Sequence, residues 1–304
     1  MLDLLPSSLV WLTDPTVLAR QFLAGLANGT LLFLVAAGLS LIFGVSRIIN
    51  FAHGALFMLG AYFSYTIVSA LSNSLPSFVA ALIFATLATA LFGVLFEVPI
   101  LRRIYGSHHA FQLLVTFSLV LVLGDAVKLI WGRDENTISP PPYLDSYVRY
   151  LGVTFPAYRA FLIFIGLVVC VGLWWVLYRS RWGIQVRAAT VDREMLRALG
   201  TDVGSLFTAV FALGSALAGL AGALASPILA IGPGLHAQVL INAFVVVVIG
   251  GMGSIPGALI GALLIGQANA FGVLLFPEFA IVIPFILLTG VLIVRPWGIM
   301  GARE

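Results

Sequence analysis

Apolar runs of about twenty residues, parted by short polar interruptions, repeat along almost the whole chain, and about 20 are needed to cross a bilayer as a helix. On that measure the pattern predicts spans at 22–44, 51–71, 78–100, 111–131, 161–178, 206–229 and 279–294, with an irregular pair within 239–276. The sum is about eight or nine membrane segments, some of them broken. Residues 1–20 are less apolar, carry Asp3 and Asp14, and read as an interfacial lead-in. The first residues lack the basic region of a cleavable signal peptide.

Composition sharpens the class. Hydrophobic residues make up 61% of the 304, charged residues 9%, and mean hydropathy is +1.12. Soluble domains carry about a quarter charged residues, so the expected fold is all-α, a single polytopic transmembrane domain over 1–304. Its many Gly and Ala suit closely packed membrane helices. The lone Cys170 excludes a disulfide or a cysteine metal site within one chain.

The basic residues are all Arg except Lys128, and in such a chain they speak of topology rather than of nucleic acid. Arg102 and Arg103 share one loop; Arg179, Arg181, Arg187, Arg193 and Arg197 crowd another; Arg295 and Arg303 mark the C-terminus. Even numbers of crossings separate these sites, so all can face the cytoplasm. The loop at about 132–159, with Pro140, Pro141 and Pro142, is then external and extended. The N-terminus falls outside and the C-terminus inside.

Two interruptions stand out. The stretch 46–55 sets Ser46, Arg47, Asn50, His53 and Gly54 between strongly apolar runs. It is either a surface loop or a break inside a membrane helix, and only the second would line a path for a solute. His53 itself is either a packing residue or a polar gate. The second interruption, Gly250, Gly251, Gly253 and Ser254, follows a run of only half a span. It is either a tight turn or a second break. Gly54-Ala55-Leu56 compares with Gly257-Ala258-Leu259, which suggests an internal repeat with the two breaks as paired walls. His108, His109 and His236 occupy other loops with no carboxylate at ligand spacing, so no metal site is expected.

Segment 179–204 is predicted to carry one helix over 183–200. Arg193 and Arg197 lie four apart on one face, and Glu194 offsets Arg197. Ala188, Met195 and Leu199 form a modest apolar stripe, and Gly200 marks a stop. The helix either lies on headgroups or docks on a protein; small residues such as Ala188 and the lack of internal aromatic anchors point to docking. Glu97 and Asp125, the acids within apolar runs, fall near span ends where they can snorkel or pair. No phosphate-binding loop or hydrolase motif occurs, so neither an enzyme nor a cofactor is expected.

The run from Gly38-Leu39-Ser40 through Asn50-Phe51-Ala52-His53-Gly54 to Gly60-Ala61-Tyr62 resembles branched-chain amino-acid ABC transporter permeases of the LivH type. The resemblance continues through Arg187-Ala188, Asp192-Arg193 and Gly200, along 211–219, and ends at Gly250-Gly251-Met252-Gly253-Ser254. It implies a permease of the bacterial inner membrane, paired with a second related permease, two cytoplasmic ATPases and a periplasmic solute-binding protein. On that likeness Arg187, Ala188, Asp192, Arg193, Glu194, Arg197 and Gly200 form the segment coupled to the ATPase. Asn50, His53, Gly54, Gly250, Gly251, Gly253 and Ser254 then line the translocation path. The family also includes permeases for urea, short amides and other small polar solutes. A secondary transporter or channel without an ATPase is the alternative of another class.

Overall fold

A computed structural model describes residues 14–301 except Leu151 and Phe276. The helices are α1 (Pro15–Ser46), α2 (Ala52–Leu71), α3 (Leu75–Phe96), α4 (Arg102–Ile104), α5 (His109–Trp131), α6 (Ala157–Arg179), α7 (Arg181–Val191), α8 (Arg193–Ala198), α9 (Val203–Ala225), α10 (Leu235–Gly250), α11 (Ile255–Leu275) and α12 (Ile283–Val294). A π turn, Glu97–Leu101, joins α3 to α4. Among the described residues seven helices are long and apolar enough to cross a membrane, and α10 and α12 are shorter apolar helices. The protein is a polytopic, all-α membrane protein.

Two boundaries differ from expectation. Helix α1 begins at Pro15, so residues 15–20 belong to it rather than to an interfacial lead-in; the Asp14 carboxylate accepts from the Thr16 amide at 2.8 Å, and proline at the first helical position needs no partner. Residues 1–13 and Arg303 lie outside the described residues. The external loop is also less extended than its prolines suggest. It contains a hairpin, β1 (Tyr147–Tyr150) paired antiparallel with β2 (Val153–Pro156), and it ends where α6 starts at Ala157.

The core is built on α1, packed lengthwise against α11 and α9, with α2 and α3 on the far side of α9. Glycines set the spacing. A methyl on Gly60 of α2 would fall on the backbone of Gly219 in α9, and one on Gly266 of α11 on the backbone at Gly25 and Gly29 of α1. Without hydrophobic drive between helices in lipid, such close approach is what holds them.

Contacts sort the loops onto two ends of the molecule. At one end Asn136 and Ile231 exchange backbone hydrogen bonds of 2.9 and 2.8 Å, joining the loops after α5 and α9. At the other end lie the close of α1, Arg102, α7 and the turn before α11. Arg102 packs on Gly204 at the start of α9, and Gly44 of α1 touches Gly253 and Thr190. The described arginines of the three predicted clusters lie on or beside the elements grouped at this second end.

Candidate functional site

The chain between α1 and α2 turns back into the bundle. Arg47 takes a left-handed conformation (φ +55°) and ends α1 through its amide bond to the Phe43 carbonyl, 2.8 Å. The Ser46 hydroxyl donates to Ile42 O at 2.8 Å and accepts from the Ile48 amide at 3.2 Å. Arg47 stays exposed while Ile48 is buried. The Asn50 Oδ1 then accepts from the Ala52 amide at 3.1 Å and starts α2.

The stretch therefore starts at the surface with Arg47 and ends inside the bundle. Asn50 is 1% exposed and His53 0%. The His53 Nε2 donates to the carbonyl oxygen of Val35 at 2.9 Å, about 16 Å back along α1 from its end at Ser46. Gly38 makes room for it: a methyl there would sit 3.0 Å from His53 Cε1. On the other side, Trp131 Nε1 donates to Thr66 Oγ1 at 2.7 Å, about 20 Å farther along α2. His53 thus lies midway between the two ends.

With its hydrogen on Nε2, the neutral ring leaves Nδ1 as an acceptor. Among the described residues neither that atom nor Asn50 Nδ2 has a hydrogen-bond partner, and the same holds for the buried Ser40 Oγ. Buried polar groups normally are paired. A donor and an acceptor without partners therefore stand just before and on the first turn of α2. Beside them, a methyl on Gly54 would overlap the His236 carbonyl oxygen at the start of α10.

The second interruption occupies a different level. Gly250 and Gly251 close α10, whose 16 residues span about 24 Å. His53 and Gly54 lie at the start of that helix, so the structure does not bring the two breaks together as facing walls. Gly251 (φ +102°) and Gly253 (φ +84°) supply the tight turn, and Ser254 Oγ accepts from the Gly257 amide at 3.1 Å to begin α11. The C-terminal segment covers this turn: the Ile299 and Met300 amides donate to Ile249 and Gly250 carbonyls at 2.8 and 2.9 Å. The suspected repeat has a local counterpart, since Gly54 and Gly257 are each the third residue of a helix that follows a break.

The arginine-rich segment is two helices rather than one. Asp192 is extended and its Oδ1 accepts from the Glu194 and Met195 amides, both at 2.9 Å, so it closes α7 and caps α8. Gly200 (φ +86°) ends α8 as predicted, with Gly200 N to Arg197 O at 2.9 Å and Thr201 N to Leu196 O at 3.3 Å. The buried stripe is Val186, Ala189 and Leu196. Of the predicted stripe, Met195 and Leu199 face outward, 58% and 76% exposed, while the half-buried Ala188 packs against that cluster. Arg187 folds back to donate to the Leu177 carbonyl, with its guanidinium over the Tyr178 ring. Arg193 is half-buried; Glu194 and Arg197 are exposed, and they form no ion pair, Lys128 with Asp125 at 2.8 Å being the one among the described residues.

Glu97 lies at the end of α3 and takes the second of its two expected roles, pairing. It does not snorkel but is fully buried, accepting from the Tyr105 and Thr208 hydroxyls. Among the described residues no three His, Cys, Asp or Glu gather to hold a metal.

A bundle of apolar helices with a break between α1 and α2 and a capped helix pair at its arginine-rich end defines a polytopic membrane protein. The family described as branched-chain amino acid transport system / permease component matches residues 21–292, and the chain belongs to it. It is similar to the high-affinity branched-chain amino acid transport system permease protein BraD of Pseudomonas aeruginosa, with 32% identity over 94% of this chain and 96% of that one. The LivH permease proteins of Salmonella typhimurium and Escherichia coli K12 are each 29% identical, with the same coverage. No solved structure matches the chain at a significant level. The protein is a transport permease subunit.

Proposed function

We propose that the protein is the permease of an ABC importer that moves branched-chain or other amino acids across the bacterial inner membrane. In this reading it pairs with a second, related permease, two cytoplasmic ATPases and a periplasmic binding protein, and it works by alternating access. The arginine-rich end faces the cytoplasm, as the positive-inside rule asks, so the C-terminus lies inside and the N-terminus outside.

The observation that carries the proposal is the outward face of α8. Met195 and Leu199 present apolar side chains to solvent on a helix held at both ends by its own caps. A partner protein that covers them removes apolar area from water. ATPase closure would press this face, and Thr190 of α7, against Gly44, passes the push to the end of α1 and to the turn at Gly253. His53 and Asn50 offer a lone acceptor and donor suited to the ammonium and carboxylate of a zwitterion. Gly54 and the start of α10 form the adjoining wall.

The test is co-purification. Replacing Met195 and Leu199 together by Glu should abolish recovery of the ATPases with the tagged permease, with the permease itself made at normal level. Full recovery would remove α8 as the docking face.

A further inference from the structure

Glu97 is the buried acid for which solute movement supplies no role. It sits at the head of the π turn, and the local sequence explains the turn. Pro99 has no amide hydrogen for the carbonyl four residues before it, and the Arg102 amide reaches back to Glu97 O, five residues away. Such turns often occur at functional positions. This one directs a carboxylate into the bundle, 0% exposed.

Each carboxylate oxygen is taken by a different element. The Tyr105 hydroxyl, just past α4, donates to Oε1 at 2.7 Å, and the Thr208 hydroxyl, on α9, donates to Oε2 at 2.6 Å. The first distance is ordinary for a hydroxyl donor and the second slightly short. The Tyr105 ring also meets the ring of Phe207 edge-on, with centroids 5.4 Å apart. One acid thus ties the end of α3 and the residue after α4 to the second turn of α9.

Position along the chain gives the tie its meaning. Helix α8 leads into α9 through residues 199–202, with Gly200 closing one helix and Asp202 capping the next through bonds from Gly204 and Ser205 amides of 3.0 and 3.3 Å. The connection is short and held at both ends. Arg102, in α4, packs on Gly204. A displacement of α8 therefore arrives at the first turns of α9, where the Glu97 tie begins.

We infer that Glu97 is a positioning residue that clamps α3 to the base of α9, so that motion of α7 and α8 carries both helices as one body. The inference rests on the proposed function. Without the clamp, the first turns of α9 can yield alone and the displacement is lost before it reaches α3. A carboxylate suits the task because two hydroxyl donors need two acceptor oxygens; Gln offers one and Leu none, which leaves Thr208 only its longer bond to the Gly204 carbonyl, 3.3 Å.

The readout is amino acid moved per ATP hydrolysed, measured on the whole transporter with its ATPases and binding protein in proteoliposomes. A merely structural role would lower the amount of complex but not this ratio. Thr208→Val should lower the ratio several-fold at unchanged assembly, and Thr208→Ser should restore it. Glu97→Gln should lower it less than Glu97→Leu. A wild-type ratio in Thr208→Val would overturn the clamp. Should that variant not assemble, Tyr105→Phe is read by the same measure, a fall supporting the clamp and a wild-type ratio overturning it. A wild-type complex with no ATP-linked uptake would overturn the functional reading and the clamp with it, whereas a coupled wild type beside unaffected variants would overturn the clamp alone.

Discussion

Gly44 and Gly253 touch backbone to backbone: a methyl on Gly44 would lie 3.3 Å from the Gly253 Cα, and one on Gly253 3.1 Å from the Gly44 Cα. The contact joins the end of α1 to the turn between α10 and α11, and Thr190 of α7 reaches the same spot. Gly253 is also held at φ +84°, where a side chain costs about 1–2 kcal/mol. Gly253→Ala should therefore lower the unfolding temperature in detergent and weaken uptake together. A variant with wild-type stability would show that the turn is not pinned by this contact.

His53 is expected to act through its polar atoms and not its bulk. His53→Leu keeps much of the volume but loses both the bond to Val35 and the free acceptor, so initial uptake should fall at least several-fold at normal expression. Unchanged transport would return His53 to packing.

Close packing and mere glycine content can be told apart within the same protein. Gly60→Ala should destabilise by about 1–3 kcal/mol, because the new methyl meets the Gly219 backbone. Gly172, with nothing within 4 Å of an added methyl, should accept alanine without loss. Denaturation of the two variants in one detergent makes the comparison.

Asp202 supplies a pH test outside the spans. The Ser205 hydroxyl first, then the Ser205 and Gly204 amides, hold its carboxyl below the ordinary 3.8. A depressed native value means that the carboxylate stabilises the fold above pH 3.8 and ceases to do so as pH falls through the lower native value. The acid limb of the stability profile should be shallower in Asp202→Asn, and an identical limb would deny the cap any charge role.

How much of this was legible depends on the range of the forces. The apolar segments were, because crossing length is written in consecutive residues; Gly200 was, because a helix stop is local. The break at Asp192 is not marked by a capping box, since Met195 stands three residues on, and the flanking residues read equally well as one helix. The outward turn of Met195 and Leu199 follows from that break. The hairpin at 147–156 was too short to show a period. For residues 46–55 the sequence leaves a surface loop and an internal break both open, since the choice depends on Gly38 making room for His53 on another helix. Glu97 stands out as an acid in an apolar run, but its partner Thr208 is 111 residues away, and only Pro99 points to the turn that aims it.

The central claim is that this permease moves an amino acid at the expense of ATP hydrolysed by its partners. The direct measurement is uptake of radiolabelled leucine into proteoliposomes that hold the permease pair and ATPases, with the binding protein outside and ATP or no nucleotide within. The account predicts uptake that requires both luminal ATP and the binding protein. Equal leucine entry without ATP would contradict it and leave a channel or secondary transporter in its place.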